Sequence, residues 1–98
     1  MPPAARVGDI TSHGTPLSPG PGSANVLIEG MPAWRVGSDF HACPLISEEE
    51  VPHVGGVVAS GSSTVLINNL PAARQGDDII EVDETNSISI GSNKVLIG

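Results

Sequence analysis

The chain has 98 residues and a formal net charge of −7, with only four Lys and Arg; this argues against nucleic acid and polyanionic membrane surfaces, which are held by clustered cations. Twelve glycines and nine prolines are too many for long helices, and with Trp34 and Phe40 the only aromatics, Leu, Ile and Val carry an apolar volume of the kind strands use. No run of 18 apolar residues occurs, no apolar stretch follows Met1, and Cys43 is the only cysteine, so neither a helical membrane span, nor a signal peptide, nor an internal disulfide is expected.

Taken in chain order, two motifs alternate. Pro3-Ala4-Ala5-Arg6-Val7-Gly8-Asp9 opens the chain, and Gly22-Ser23-x-x-Val26-Leu27-Ile28 follows. Pro32-Ala33-Trp34-Arg35-Val36-Gly37-Ser38-Asp39 repeats the first motif with Ser38 inserted before the Asp. Gly61–Ile67 then repeats the second, Pro71–Asp77 the first, and Gly91–Ile97 the second again. Val26 to Pro32 is six positions, and so is Val65 to Pro71. Joining Gly98 to Met1 makes Val95 to Pro3 six as well. The sequence is therefore a circle of three units, with spacings of 29, 39 and 30 residues, cut between a strand and a turn.

Each Val-Leu-Ile run reads as a short strand bounded by a Gly-Ser turn and a Pro turn. One such unit cannot bury its own apolar face, whereas three around an axis can bury theirs against each other. The expected fold is all-β: a small conical domain of three pseudo-threefold repeats of short strands and turns, with adjacent termini, spanning 1–98 as one domain. Arg6, Arg35 and Arg74 each precede a Gly and an Asp, and are expected to bond neighbouring carbonyls or that Asp across unit junctions.

The soft ligands all lie between residues 13 and 53: His13, His41, Cys43 and His53. Three imidazoles and a thiol make a tetrahedral set suited to one structural zinc ion. His13 stands four residues after Asp9, and Cys43 four after Asp39, so symmetry would bring both toward the axis. The third unit has no His or Cys after Asp77, and the long middle unit would supply what it lacks. Spacing alone leaves the bland alternatives open, since this is no recognised finger pattern; a lone loop histidine is usually solvated, and a lone cysteine is usually a small buried hydrophobe. Glu48-Glu49-Glu50 and the acidic run Asp77, Asp78, Glu81, Asp83, Glu84 are read as solvated faces.

Pro3-Ala4-Ala5-Arg6 and Pro71-Ala72-Ala73-Arg74, together with Pro32-Ala33-Trp34-Arg35, Thr11-Ser12-His13-Gly14 and the three Gly-Ser-x-x-Val-Leu-Ile blocks, resemble PAAR-repeat proteins over the whole chain. The resemblance implies a β cone whose base sits on the blunt end of the trimeric VgrG spike of a bacterial type VI secretion system. A metal, usually zinc, lies near the apex in that family. The expected role is structural and non-enzymatic: a monomer when free, one chain caps and sharpens each VgrG trimer and aids membrane piercing, with any toxin effector travelling non-covalently and no toxin extension. Assembly is expected in the bacterial cytoplasm, followed by secretion without a signal peptide. The alternatives are an iron-bearing phage-tail-like spike tip and a small zinc hydrolase. The hydrolase needs an open metal position that four protein ligands would close.

Overall fold

The computed structural model describes residues 2–46, 52–81 and 85–98, with the side chains of 44–46 and 52–54 outside that description. Eight strands are found among the described residues: β1 (Leu27–Ile28), β2 (Met31–Pro32), β3 (Phe40–Ile46), β4 (Pro52–Val58), β5 (Leu66–Ile67), β6 (Leu70–Pro71), β7 (Asp78–Ile80) and β8 (Thr85–Ser87). β1 pairs with β2 and β5 with β6, while β3-β4-β7-β8 form one antiparallel sheet. The all-β expectation holds.

The two small hairpins turn on two-residue loops, Glu29-Gly30 and Asn68-Asn69, in which every φ is positive, between 52° and 82°. Such loops match the right-handed twist of the flanking strands. The third copy of this hairpin is split between the chain ends. Pro3 bridges to Leu96, Ile97 N–H donates to the Pro2 carbonyl at 2.9 Å, and Ala4 N–H donates to the Val95 carbonyl at 2.8 Å. The termini therefore lie side by side, and the split falls in the unit where the sequence is cut.

Backbone hydrogen bonds recur in threes. Ala4, Ala33 and Ala72 donate to Val95, Val26 and Val65, while Ser23, Ser62 and Ser92 donate to Ala33, Ala72 and Ala4. The residues after those alanines close a ring around the centre: Ala5 N–H reaches the Ala73 carbonyl, Ala73 N–H that of Trp34, and Trp34 N–H that of Ala5, each at 3.0 Å. Three units satisfy one another here, so none of these buried amides needs water.

Two apolar clusters flank this ring. Ile28, Ile67 and Ile97 pack with Ala4, Ala33 and Ala72 on one side, with Val26, Val65 and Val95 against them. Ala5, Trp34 and Ala73 pack with Leu17, Val58, Ile79 and Ile88 on the other. Where two units place an alanine the middle unit places Trp34, fully buried, so one indole fills the room around the axis.

Each arginine forks onto the Asp of its own unit. Arg35 donates from its backbone N–H and Nε to Asp39 Oδ2 at 2.8 and 3.0 Å, and from Nη2 to Oδ1 at 2.8 Å. Arg6 with Asp9 and Arg74 with Asp77 repeat the pattern. Hydrogen bonding to these carboxylates raises each guanidinium above its ordinary pKa. The Asp half of the expectation holds within a unit rather than across a junction. The carbonyl contact occurs at Arg35, which also reaches the Gly22 carbonyl at 3.0 Å. Junctions are crossed by the same side chains at Arg6 Nη1–Glu29 Oε1, 3.4 Å, and Arg35 Nη1–Asn68 Oδ1, 3.3 Å.

Candidate metal centre

Past each Asp the chain runs on to a ligand-type residue. His13 follows the first-unit turn, where its backbone N–H donates to Asn86 Oδ1 at 3.1 Å. Cys43 lies on β3 and is buried. Glu81 directly follows β7, its side chain 0% exposed. Alternation along β3 turns His41 and Cys43 to the same face, and both are buried.

The structure brings His13 and Cys43 together. His13 Nδ1 lies 3.7 Å from Cys43 Sγ and 3.3 Å from Glu81 Oε1. One ligand atom from each of His13, Cys43 and Glu81 lies within 4.8 Å of the other two. A nitrogen, a thiol sulfur and a carboxylate oxygen suit a transition-metal dication such as zinc, so these donors fit the ion that the resemblance implies.

His41 stands beside this group rather than in it. Its Nε2 is 3.1 Å from Thr15 Oγ1 and its Nδ1 3.5 Å from Ser18 Oγ; Thr15 Oγ1 in turn shares a hydrogen bond with Thr11 Oγ1 at 2.8 Å. Burial lowers its pKa, with the Glu81 carboxylate opposing and His13 adding to that shift. The lowered pKa keeps the ring neutral at neutral pH, between the Thr15 and Ser18 hydroxyls. The side chain of His53 and residues Glu48, Glu49 and Glu50 lie outside the described residues.

Glu81 is a correction. Read as part of a solvated acidic run, it is instead buried and faces the thiol and imidazole. Its Oε2 accepts from Asn86 Nδ2 at 2.9 Å, and Asn86, 0% exposed, also accepts from Ser12 Oγ at 2.8 Å. Asn86 thus ties the first-unit turn to the third-unit carboxylate. One signal in the sequence could have found Glu81: it stands four residues after Asp77, the offset that His13 keeps from Asp9 and Cys43 from Asp39.

Comparison with protein-family models gives two overlapping matches, over residues 7–50 and 48–98, both to the PAAR motif. The chain belongs to the PAAR motif family. This motif occurs in the spike-tip proteins of type VI secretion systems, and the family is structural. No curated protein matches this PAAR chain. Membership accounts for the all-β fold and for the repeated Pro-Ala-x-Arg turns, whose x residues build the ring and whose arginines fork onto the aspartates.

Proposed function

We propose that this PAAR protein is the tip of a type VI secretion spike: a monomer that caps the blunt end of a VgrG trimer, one chain per three, and ends it in a point pinned by zinc. One observation carries the reading. Leu27, Leu66 and Leu96, the middle residues of the three Val-Leu-Ile runs, are 59%, 61% and 50% exposed. The flanking isoleucines are buried beneath them. A homotrimer offers three identical surfaces about an axis, and a single chain meets all three only through a surface repeated three times. Three exposed leucines at equivalent positions supply that surface. The fold needs no catalytic step for this role, only rigidity, and force delivered by a contracting sheath is concentrated where the trimer ends. Assembly takes place in the bacterial cytoplasm, and the chain leaves with the spike it caps; any effector on the same spike travels beside it.

The test is reconstitution with a trimeric β-helical spike protein from the same genome. Native mass measurement is expected to give one chain per trimer. Because three weak contacts form together, binding is expected to be tight through effective concentration. Being apolar, it should change little with salt. Replacing Leu27, Leu66 and Leu96 together by Glu is expected to abolish capping while leaving the circular dichroism spectrum unchanged. A ratio other than one to three, or capping that survives the triple replacement, removes the reading.

A further inference from the structure

We propose that Glu81 is a direct metal ligand, so that the ion is gripped by one side chain from each of the three units: His13, Cys43 and Glu81. The inference rests on reading this group as a metal centre and goes beyond it by naming the third-unit ligand and by taking His41 out of the shell.

Position is the first argument. The three residues stand at the same offset from the three structural aspartates, and those aspartates are fixed by the same arginine fork in every unit. The pseudo-threefold arrangement that closes the backbone ring therefore also converges these side chains, although their chemistry differs. A ligand on each unit ties all three together, which one on two units does not.

Distance is the second. A tetrahedral ion with bonds of about 2.3 Å to sulfur and about 2.0–2.1 Å to nitrogen and oxygen sets ligand edges of about 3.6 Å for sulfur to nitrogen and about 3.3 Å for nitrogen to oxygen. The Cys43 Sγ–His13 Nδ1 and His13 Nδ1–Glu81 Oε1 separations are 3.7 and 3.3 Å. A direct His13–Glu81 hydrogen bond would favour a shorter approach, nearer about 2.8 Å.

Charge is the third. Thiolate and carboxylate together carry the two negative charges that neutralise a dication, whereas three neutral imidazoles and one thiolate leave the buried site positive. An uncompensated charge out of water is costly. Asn86 Nδ2 on Glu81 Oε2 holds the carboxylate so that Oε1 faces the imidazole, as outer-shell partners of metal ligands do. His41 has a hydroxyl at each ring nitrogen, which suits a strut and leaves neither nitrogen turned to an ion.

X-ray absorption on the zinc-loaded wild type reads the shell without any substitution. One sulfur with the scattering of at most two imidazoles is expected; three imidazoles overturn the inference. Competition against a chromophoric chelator then separates the residues. Glu81→Gln keeps the size and an acceptor for Asn86, and is expected to weaken zinc retention by more than the roughly 10–100-fold that loss of an outer-shell partner causes. Glu81→His restores a ligand and is expected to recover most of that loss. His41→Gln is expected to stay within about 10-fold of wild type. Zinc retained by Glu81→Gln but lost from His41→Gln overturns the assignment of Glu81 while leaving the metal centre standing. A folded wild type that binds no zinc overturns the metal centre itself, and the assignment with it.

Discussion

Trp34 is the residue on which the centre of the molecule depends most. Its neighbours in the backbone ring are Ala5 and Ala73, side chains too small to fill an axis, and the indole also lies against Gly20, where a Cβ would come within 2.7 Å of Cη2. Trp34→Ala would leave three alanines around a void. The expected loss is about 3–5 kcal/mol, read as a shift of the denaturation midpoint followed by circular dichroism, because Trp34 is the only tryptophan and its fluorescence goes with it. Stability within about 1 kcal/mol of wild type would show that the ring collapses onto the gap. His41 gives a prediction of a different kind. Its folded pKa is lowered from 6.5, chiefly by burial. The unfolded chain therefore takes up a proton that the folded chain refuses, so this contribution is full above the ordinary value and drains as pH falls below it. The metal-free protein is expected to lose melting temperature from about pH 6.5 downward, and His41→Gln is expected to flatten that slope; an unchanged slope in the variant would assign the effect to other groups.

At the scale of elements, two glycines set how closely the long sheet packs around His13, Cys43 and Glu81. β4 lies between β3, which carries His41 and Cys43, and β7, which leads into Glu81. A Cβ at Gly55 would strike the His41 carbonyl oxygen, and one at Gly56 the Ile80 carbonyl oxygen. Gly56→Ala is therefore expected to push β7 away from β4, lower the melting temperature and weaken metal retention together. A variant as stable and as metal-avid as wild type would mean that β7 shifts without moving Glu81. This sheet was not legible in the sequence. Pro44, Pro52, Gly55 and Gly56 all read as breakers, yet β3 and β4 pair across five residues of register, because glycines admit a close approach, Pro44 lies on the edge strand β3 and Pro52 is the first residue of β4. The small hairpins were legible, since each Val-Leu-Ile run is bracketed by the same turn residues in every copy. The site was half legible. His13 and Cys43 stand out by residue type, whereas Glu81 belongs to an acidic run and differs from the exposed Asp78 through burial, which composition does not carry. Trp34 was visible as the one departure from Pro-Ala-Ala-Arg, but its place on the axis follows only from the ring.

For the whole molecule, the organising feature is a closed circle whose opening is arbitrary. Each unit passes from a hairpin, through the ring, to an Asp and a ligand-type residue, and the chain ends complete the third hairpin by pairing Pro3 with Leu96. The intact turns at Glu29-Gly30 and Asn68-Asn69 have the two-residue length that Gly98 and Met1 would supply if joined. A permutant that begins at Asn69, ends at Asn68 and fuses Gly98 to Met1 is therefore expected to fold. One hairpin turn is opened and an equivalent one is closed, so the loop-closure terms nearly cancel. Asn68 stays in the chain, and with it the bonds to Ser23 Oγ at 2.7 Å, Arg35 Nη1 at 3.3 Å and Asn25 Oδ1 at 2.8 Å. The cost should be confined to fraying at the new ends, on the order of 1–2 kcal/mol. The permutant should match wild type in circular dichroism, in metal content and in its one-to-three mass with the spike trimer. A control permutant opened between Ala5 and Arg6 cuts next to the central ring and separates the ring residue from the arginine fork, and it is expected to fail. If the two permutants behave alike, in either direction, closure of three equivalent units is not what holds this fold together.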